Sequence, residues 1–198
     1  MDKIIIKFAD TTDLAFVDNV TDAILKASEQ KGTGIAVRSP EYITGKILEG
    51  KAIMAKTESG IWAGFCYIES WGHNRFVANS GLIVDEKFRG KGLAKAIKTK
   101  AYELSKKLFP GAKLFGITTS LAVMKINSEL GYKPVTISEL TDDEEFWKGC
   151  QTCPYYDILV RTKRTHCLCT AMLLDPAKLE IEEEQPVQNK NRTFLIHK

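Results

Sequence analysis

Residues 3–8 carry the alternation of a first strand. Asp10 to Asp13 then offers N-cap chemistry, and Leu14, Val17, Val20, Ile24 and Ala27 recur at helical spacing until Gly32 and Gly34. Ser39-Pro40-Glu41 predicts a second helix, with a capping residue followed by proline at the first helical position, and Gly50 closes it. Three β-rich runs follow, Ala52–Lys56, Ile61–Glu69 and Phe76–Val84, with Ser59-Gly60 turning the chain between the first two. From Gly92 to Phe109 one face carries Leu93, Ile97, Ala101, Leu104 and Leu108, and Pro110-Gly111 stops that helix. Lys113–Thr119 predicts a strand, Leu121–Leu130 a short helix ended by Gly131, and Tyr156–Thr162 a late strand. This order predicts an α/β fold whose sheet is partly antiparallel, with a parallel crossover around the long helix.

With 198 residues the chain suits one compact domain and is short for two. After Pro176 the composition turns acidic and polar, which predicts an exposed tail over 176–198; Thr193-Phe194-Leu195-Ile196 is a candidate extra strand in it. The net charge is only +3, with no basic run, so a nucleic-acid partner is not expected. No apolar stretch nears the ~18 residues that span a bilayer, and the N-terminus has no secretory pattern; a cytoplasmic protein without membrane contact is expected. An odd count of five cysteines fits reduced thiols. Cys150-x-x-Cys153 with Cys167-x-Cys169 and a spare His166 admits a zinc reading, but reduced structural thiols are the default, so no metal is expected. Trp62, Trp71 and Trp147 are read as packing residues.

The chemistry is concentrated in Gly81-Leu82-Ile83-Val84-Asp85-Glu86-Lys87-Phe88-Arg89-Gly90-Lys91-Gly92-Leu93-Ala94. A strand runs into a glycine-bearing turn that opens the long helix. The first amides of a helix lack intrahelical partners and carry partial positive charge, and small residues let a phosphate approach them. Arg89 and Lys91 add charge. Leu93 after Gly92 departs from the ATP loop, which needs serine or threonine after Gly-Lys, and Lys95 stands where the dinucleotide fingerprint needs glycine or alanine.

Arg89-x-x-Gly92-x-Ala94 after a hydrophobic strand resembles the acyl-CoA-binding motif of the GNAT superfamily of N-acetyltransferases. The resemblance runs from the first strand to about Val160, and Leu130-Gly131-Tyr132 is similar to the family's glycine-aromatic helix end. It implies a GNAT domain over 1–175: a mixed, mostly antiparallel sheet with a splayed parallel strand pair and helices on both faces. It implies acetyl-CoA as donor, its pantetheine arm on the backbone of Leu82, Ile83 and Val84, its pyrophosphate on Arg89 to Ala94, and the Val84 amide polarising the thioester. Within the superfamily, Leu114–Thr119, Gly131-Tyr132-Lys133-Pro134-Val135 with Glu139-Leu140, and Arg38-Ser39-Pro40-Glu41-Tyr42-Ile43 are most similar to the acetyltransferase domain of N-acetylglutamate synthases.

That likeness implies a small amine acceptor, glutamate first, in an amino-acid biosynthetic role. Arg38 would hold its carboxylate, and Thr118 and Asn127 would line its site. Asn127 stands where the superfamily often has a tyrosine acid, and Ala78 where a glutamate is common. Pro154 and Tyr156 align with the synthases' late-strand arginine and serine, with Arg161 or Arg164 as substitutes. Glu69 and His73 are the candidate bases. A polyamine or peptide N-terminus as acceptor, a non-catalytic acyl-CoA-binding subunit, a succinyl donor and a homodimer are the alternatives carried forward.

Overall fold

A computed structural model describes residues 2–178. One seven-stranded sheet has the order β1-β2-β3-β4-β5-β7-β6: β1 Ile4–Phe8, β2 Ala52–Thr57, β3 Trp62–Trp71, β4 Phe76–Val84, β5 Lys113–Thr118, β6 Lys133–Val135 and β7 Thr170–Leu174. Every adjacent pair is antiparallel except β4 and β5, which are parallel and joined by α3, Leu93–Leu108. This is the mixed sheet and parallel crossover that the periodicity implied.

Alternation along the central strands decides the two layers. Phe65 and Tyr67 of β3 point toward α1, Val17–Ser28, and α2, Pro40–Leu48. Cys66 and Ile68 point the other way, toward Ile97, Ala101 and Leu104 of α3. A third cluster packs Phe115 of β5 and Ala171 and Leu173 of β7 against Trp147 of α5, Glu144–Lys148, and Leu159 of α6, Tyr156–Arg161.

Two sequence expectations are corrected. Tyr156–Arg161 is helix, not strand; Leu159 faces the core while Val160 is exposed, and α6 covers the third cluster. The late strand is instead Thr170–Leu174, between β5 and the short β6. Thr193–Ile196 and most of the tail lie outside the described residues. Among the described residues no helix is long and apolar enough to cross a membrane.

Between β3 and β4 the register slips: Phe65 pairs with Ile83 but Tyr67 with Ser80, so Gly81 and Leu82 both face Cys66. Gly81 has φ +61°, and a Cβ on it would lie 2.5 Å from the Tyr67 ring. Gly81→Ala therefore combines left-handed strain with overpacking, roughly 2–5 kcal/mol together. A urea titration should show a lower midpoint for this variant, and the further loss on adding Gly81→Ala should be smaller in a Tyr67→Ala background than in wild type.

Asp13 is fully buried, 2.8 Å from Lys7 Nζ and 2.7 Å from Lys56 Nζ. Burial opposes its charge, but these two lysines and the Asp10 amide outweigh it and hold the carboxyl below its ordinary range. Its stabilisation is complete above the unfolded pKa and is lost as pH falls toward the folded one. Asp13→Asn should cost about 3–5 kcal/mol at pH 7, read by denaturation, and the deficit should shrink in acid.

Candidate active site

The parallel pair is short. Phe76, Val77 and Ala78 pair with Lys113, Leu114 and Phe115, and beyond them β4 and β5 part. The gap opens a cavity of about 210 Å³ lined by Asn79–Leu82 on one strand and Gly116–Thr118 on the other. From the α3 side it is lined by Lys98 and by Asn127 of α4, Leu121–Glu129; from the α1/α2 side, by Arg38 and Tyr67. The cavity thus passes through the sheet.

The backbone of β4 faces this gap in a particular way. The Asp85 amide donates to Ala63 O, which makes Gly64 and Val84 a pair without mutual hydrogen bonds. The polar groups of Val84 therefore point away from β3. Its carbonyl accepts from Arg89 Nε at 3.1 Å, which leaves the amide turned toward the gap.

A few residues on, Gly90 and Gly92 have φ +75° and +78°, and a Cβ on either would meet nothing within 4 Å. Gly92 is the N-cap of α3, with no side-chain cap and no acidic residue in the first turn. The helix amides are thus uncovered and uncontested by a carboxylate, as an incoming pyrophosphate requires. Arg89 Nε donates to Val84 O, and its guanidinium lies 3.7 Å from Glu86. Lys91 is exposed beside the turn, its Nζ near Lys87 O. Leu93 is buried and anchors α3 to the sheet.

Arg38 reaches the cavity from the loop before α2. Its Nε donates to the Tyr67 hydroxyl at 3.0 Å and its Nη1 to Gly149 O at 3.0 Å and Val37 O at 3.1 Å. Among the described residues no carboxylate is ion-paired with it. Burial works against its charge, but the Tyr67 and Tyr42 hydroxyls and Glu69 prevail and keep it protonated. Burial also pushes the phenols of Tyr67 and Tyr42 upward, so both are neutral at pH 7. Thr118 stands at the end of β5, its hydroxyl accepting from the Ser120 amide.

The two candidate bases fare differently. Glu69 is buried and ion-paired with Lys46 at 2.7 Å, in a groove that it shares with Arg38 beside the cavity. His73 is exposed in the β3–β4 turn, at the paired end of β4, and the fold does not bring it to the cavity. Of the substitutes, Arg161 is exposed near Asp157 and Arg164 is half-buried near Glu144. Because the late strand is β7, Pro154 and Tyr156 do not occupy a strand position; Tyr156 lines the cavity from α6.

Cys150, Cys153, Cys167 and Cys169 are free thiols on the cavity wall. Leu168 faces solvent while Cys167 and Cys169, two residues apart, both line the cavity, as alternation in an extended chain gives. Burial pushes Cys150 up to about 11 and raises Cys153 and Cys169 as well. Among the described residues no group of three or more His, Cys, Asp or Glu is placed to hold a metal ion. Trp147 packs as expected, its Nε1 bonded to Thr141 O at 2.8 Å.

One cavity residue was not anticipated. Lys98 is 2% exposed, has no carboxylate partner among the described residues, and is pushed down to about 8 by burial. Its helical neighbours Ala94, Ala101 and Ser105 are small residues at spacings of four, three and seven, which marks its place on the inward face. A buried cation with a lowered pKa costs stability in full below its folded pKa, and the cost declines from there until it vanishes above the unfolded pKa. Lys98→Met should therefore stabilise the ligand-free protein at pH 7. That advantage should shrink as pH rises from about 8, measured as the difference in unfolding free energy from wild type.

Solved structures share this architecture. The N-acetylglutamate synthase of Neisseria gonorrhoeae, solved with coenzyme A and N-acetyl-glutamate, aligns over 88% of this chain with a TM-score of 0.63 and 14% identity. The chain spans only 35% of that enzyme's length. Diaminobutyrate acetyltransferase of Paenibacillus lautus, with its substrate and coenzyme A, aligns over 89% of this chain and 96% of its own, with a TM-score of 0.58 and 13% identity. A GNAT-superfamily phosphinothricin acetyltransferase of Sinorhizobium meliloti, with acetyl-CoA, aligns over 87% and 88%, with a TM-score of 0.57 and 14% identity. No protein-family model and no curated protein matches the sequence. The fold is that of the GNAT acetyltransferases.

Proposed function

We propose that the chain is an acyl-CoA-dependent N-acyltransferase whose acceptor is a small amine bearing a carboxylate, with glutamate the first candidate. The observation that carries this reading is the gap between β4 and β5, with an uncapped, glycine-lined helix start just beyond one strand and an unpaired arginine in the opposite wall. The solved relatives bind CoA or acetyl-CoA, and two of them carry an amino acid or its acetylated form, which supports both halves of the proposal.

The residues divide the work. Gly90 to Ala94 would receive the pyrophosphate, and the free edge of Leu82–Val84 would pair with the amides of the pantetheine arm as an added strand does. That leads the thioester into the gap beyond Leu82, where a backbone N–H of β4 can donate to the carbonyl oxygen as negative charge develops. Arg38 would hold the acceptor carboxylate with its unengaged Nη2, its Nε and Nη1 being fixed by Tyr67, Val37 and Gly149. The cavity wall has no carboxylate and no histidine among the described residues. Glu69, beside Arg38 in the adjoining groove, would collect the ammonium proton through water.

Thiol release from acyl-CoA, followed over a panel of amino acids, polyamines and N-terminal peptides, tests this. Turnover confined to amino acids is the expected result. Turnover on polyamines alone would redirect the acceptor assignment, and CoA binding without turnover on any amine would favour a binding subunit.

A further inference from the structure

The floor of the gap holds a buried cation that the transfer described above does not use. Gly116 of β5 lies one residue past the last paired position. A Cβ placed on it would sit 3.6 Å from Asn79 O, 3.8 Å from Lys98 Nζ and 3.9 Å from Asn127 Nδ2. An ammonium and a carboxamide N–H thus converge on space left open by a missing side chain. Both groups are almost wholly buried, Lys98 at 2% and Asn127 at 1% exposure, and both line the cavity. Asn127 Oδ1 has no hydrogen-bond partner, and its Nδ2 meets only the weakly accepting Met172 sulfur at 3.6 Å. The ring of Tyr132 lies 5.5 Å from Lys98 Nζ, and Cys66 is the titratable group that influences it. A cation buried without a counter-charge is costly, and an anionic ligand removes that cost.

We propose that Lys98 and Asn127 hold the terminal carboxylate of a dicarboxylic acyl group, so that the donor is a succinyl-type CoA thioester. The assignment rests on the acyl-CoA reading above and concerns only which acyl group it carries. Spacing favours the distal end of the acyl chain over the thiolate. From Asn79 to Leu82 is three residues, about 10 Å at strand rise and less across the bulge. A four-carbon diacyl chain with a hydrogen bond at its end bridges such a span, whereas an acetyl group ends well short of it. Two donors on one point also match the two oxygens of a carboxylate. In the transfer itself the amine lone pair forms the new N–C bond and the C–S bond breaks. The thiolate ends protonated by the proton the amine gives up, and the distal carboxylate takes no part.

Equilibrium binding of succinyl-CoA, acetyl-CoA and CoA to the full chain needs no acceptor and decides the matter. Wild type should bind succinyl-CoA about tenfold to a hundredfold more tightly than acetyl-CoA, as a charge-assisted pair implies. Lys98→Met should erase that preference while leaving CoA affinity in place, and Asn127→Leu should reduce it. Equal affinity for the two thioesters in wild type would overturn the proposal and leave the acyltransferase reading standing. So would a preference that survives in Lys98→Met and Asn127→Leu. Failure of all three ligands to bind would overturn the acyl-CoA reading itself.

Discussion

Replacing Gly92 with valine should lower affinity for CoA by at least about a hundredfold while the protein stays folded. Gly92 caps α3 at φ +78°, where a β-branched side chain is strained by roughly 1–2 kcal/mol, a loss that a domain of ordinary stability survives. No protein atom lies within 4 Å of the added Cβ, so packing is not what the substitution disturbs. The isopropyl group instead stands over the uncapped amides of Leu93 and Ala94, in the space an anion must enter. Gly92→Ala carries similar backbone strain with less bulk and should lose less affinity, which separates obstruction from distortion. Calorimetric titration with CoA, beside a thermal melt, reads both effects. A folded Gly92→Val protein with wild-type affinity would remove the turn from the binding site.

Arg38→Ala should raise the acceptor's KM and lower kcat/KM about tenfold to a hundredfold, the loss of roughly 1.5–3 kcal/mol from a charge-assisted pair. CoA affinity should not change. Arg38 also ties the Gly149 carbonyl and the Tyr67 hydroxyl together, so the alanine variant should melt at a lower temperature as well. The two roles separate by measurement: a purely structural arginine would lower Tm without moving the acceptor's KM. Arg38→Lys should restore part of the loss, since lysine keeps the charge without the planar fork. Unchanged kcat/KM for glutamate in Arg38→Ala would refute the amino-acid acceptor and leave the acyl-CoA turn untouched.

Much of this frame is legible in the amino-acid order because local physics agrees with the tertiary outcome. The spacing of Leu93, Ile97, Ala101 and Leu104 fits the buried face of α3, and Ser39-Pro40 opens α2 as its chemistry requires. Where the reading failed, packing or chain-distant contacts decide. Tyr156–Arg161 has the β-branched look of a strand yet folds as a helix, because only Leu159 of its apolar run is needed by the core. The true late strand, Thr-Ala-Met-Leu-Leu, is a five-residue apolar run with no period of its own, and its place beside β5 is set by pairing across more than fifty residues.

The splay of β4 and β5 has no local signature at all; only the resemblance to a family anticipated it. Lys98 was hidden because a lysine in an amphipathic helix normally belongs to the solvent face. His73 was misplaced for the opposite reason: nearness to β4 along the chain says nothing about which end of the strand opens.

A crystal structure with bound acyl-CoA tests the central claim most directly. The pantetheine arm should run along Leu82–Val84, with the pyrophosphate on the amides that open α3 and the thioester in the gap between β4 and β5. Density for acyl-CoA elsewhere on the chain, with the gap and the Gly90–Gly92 turn empty, would contradict it.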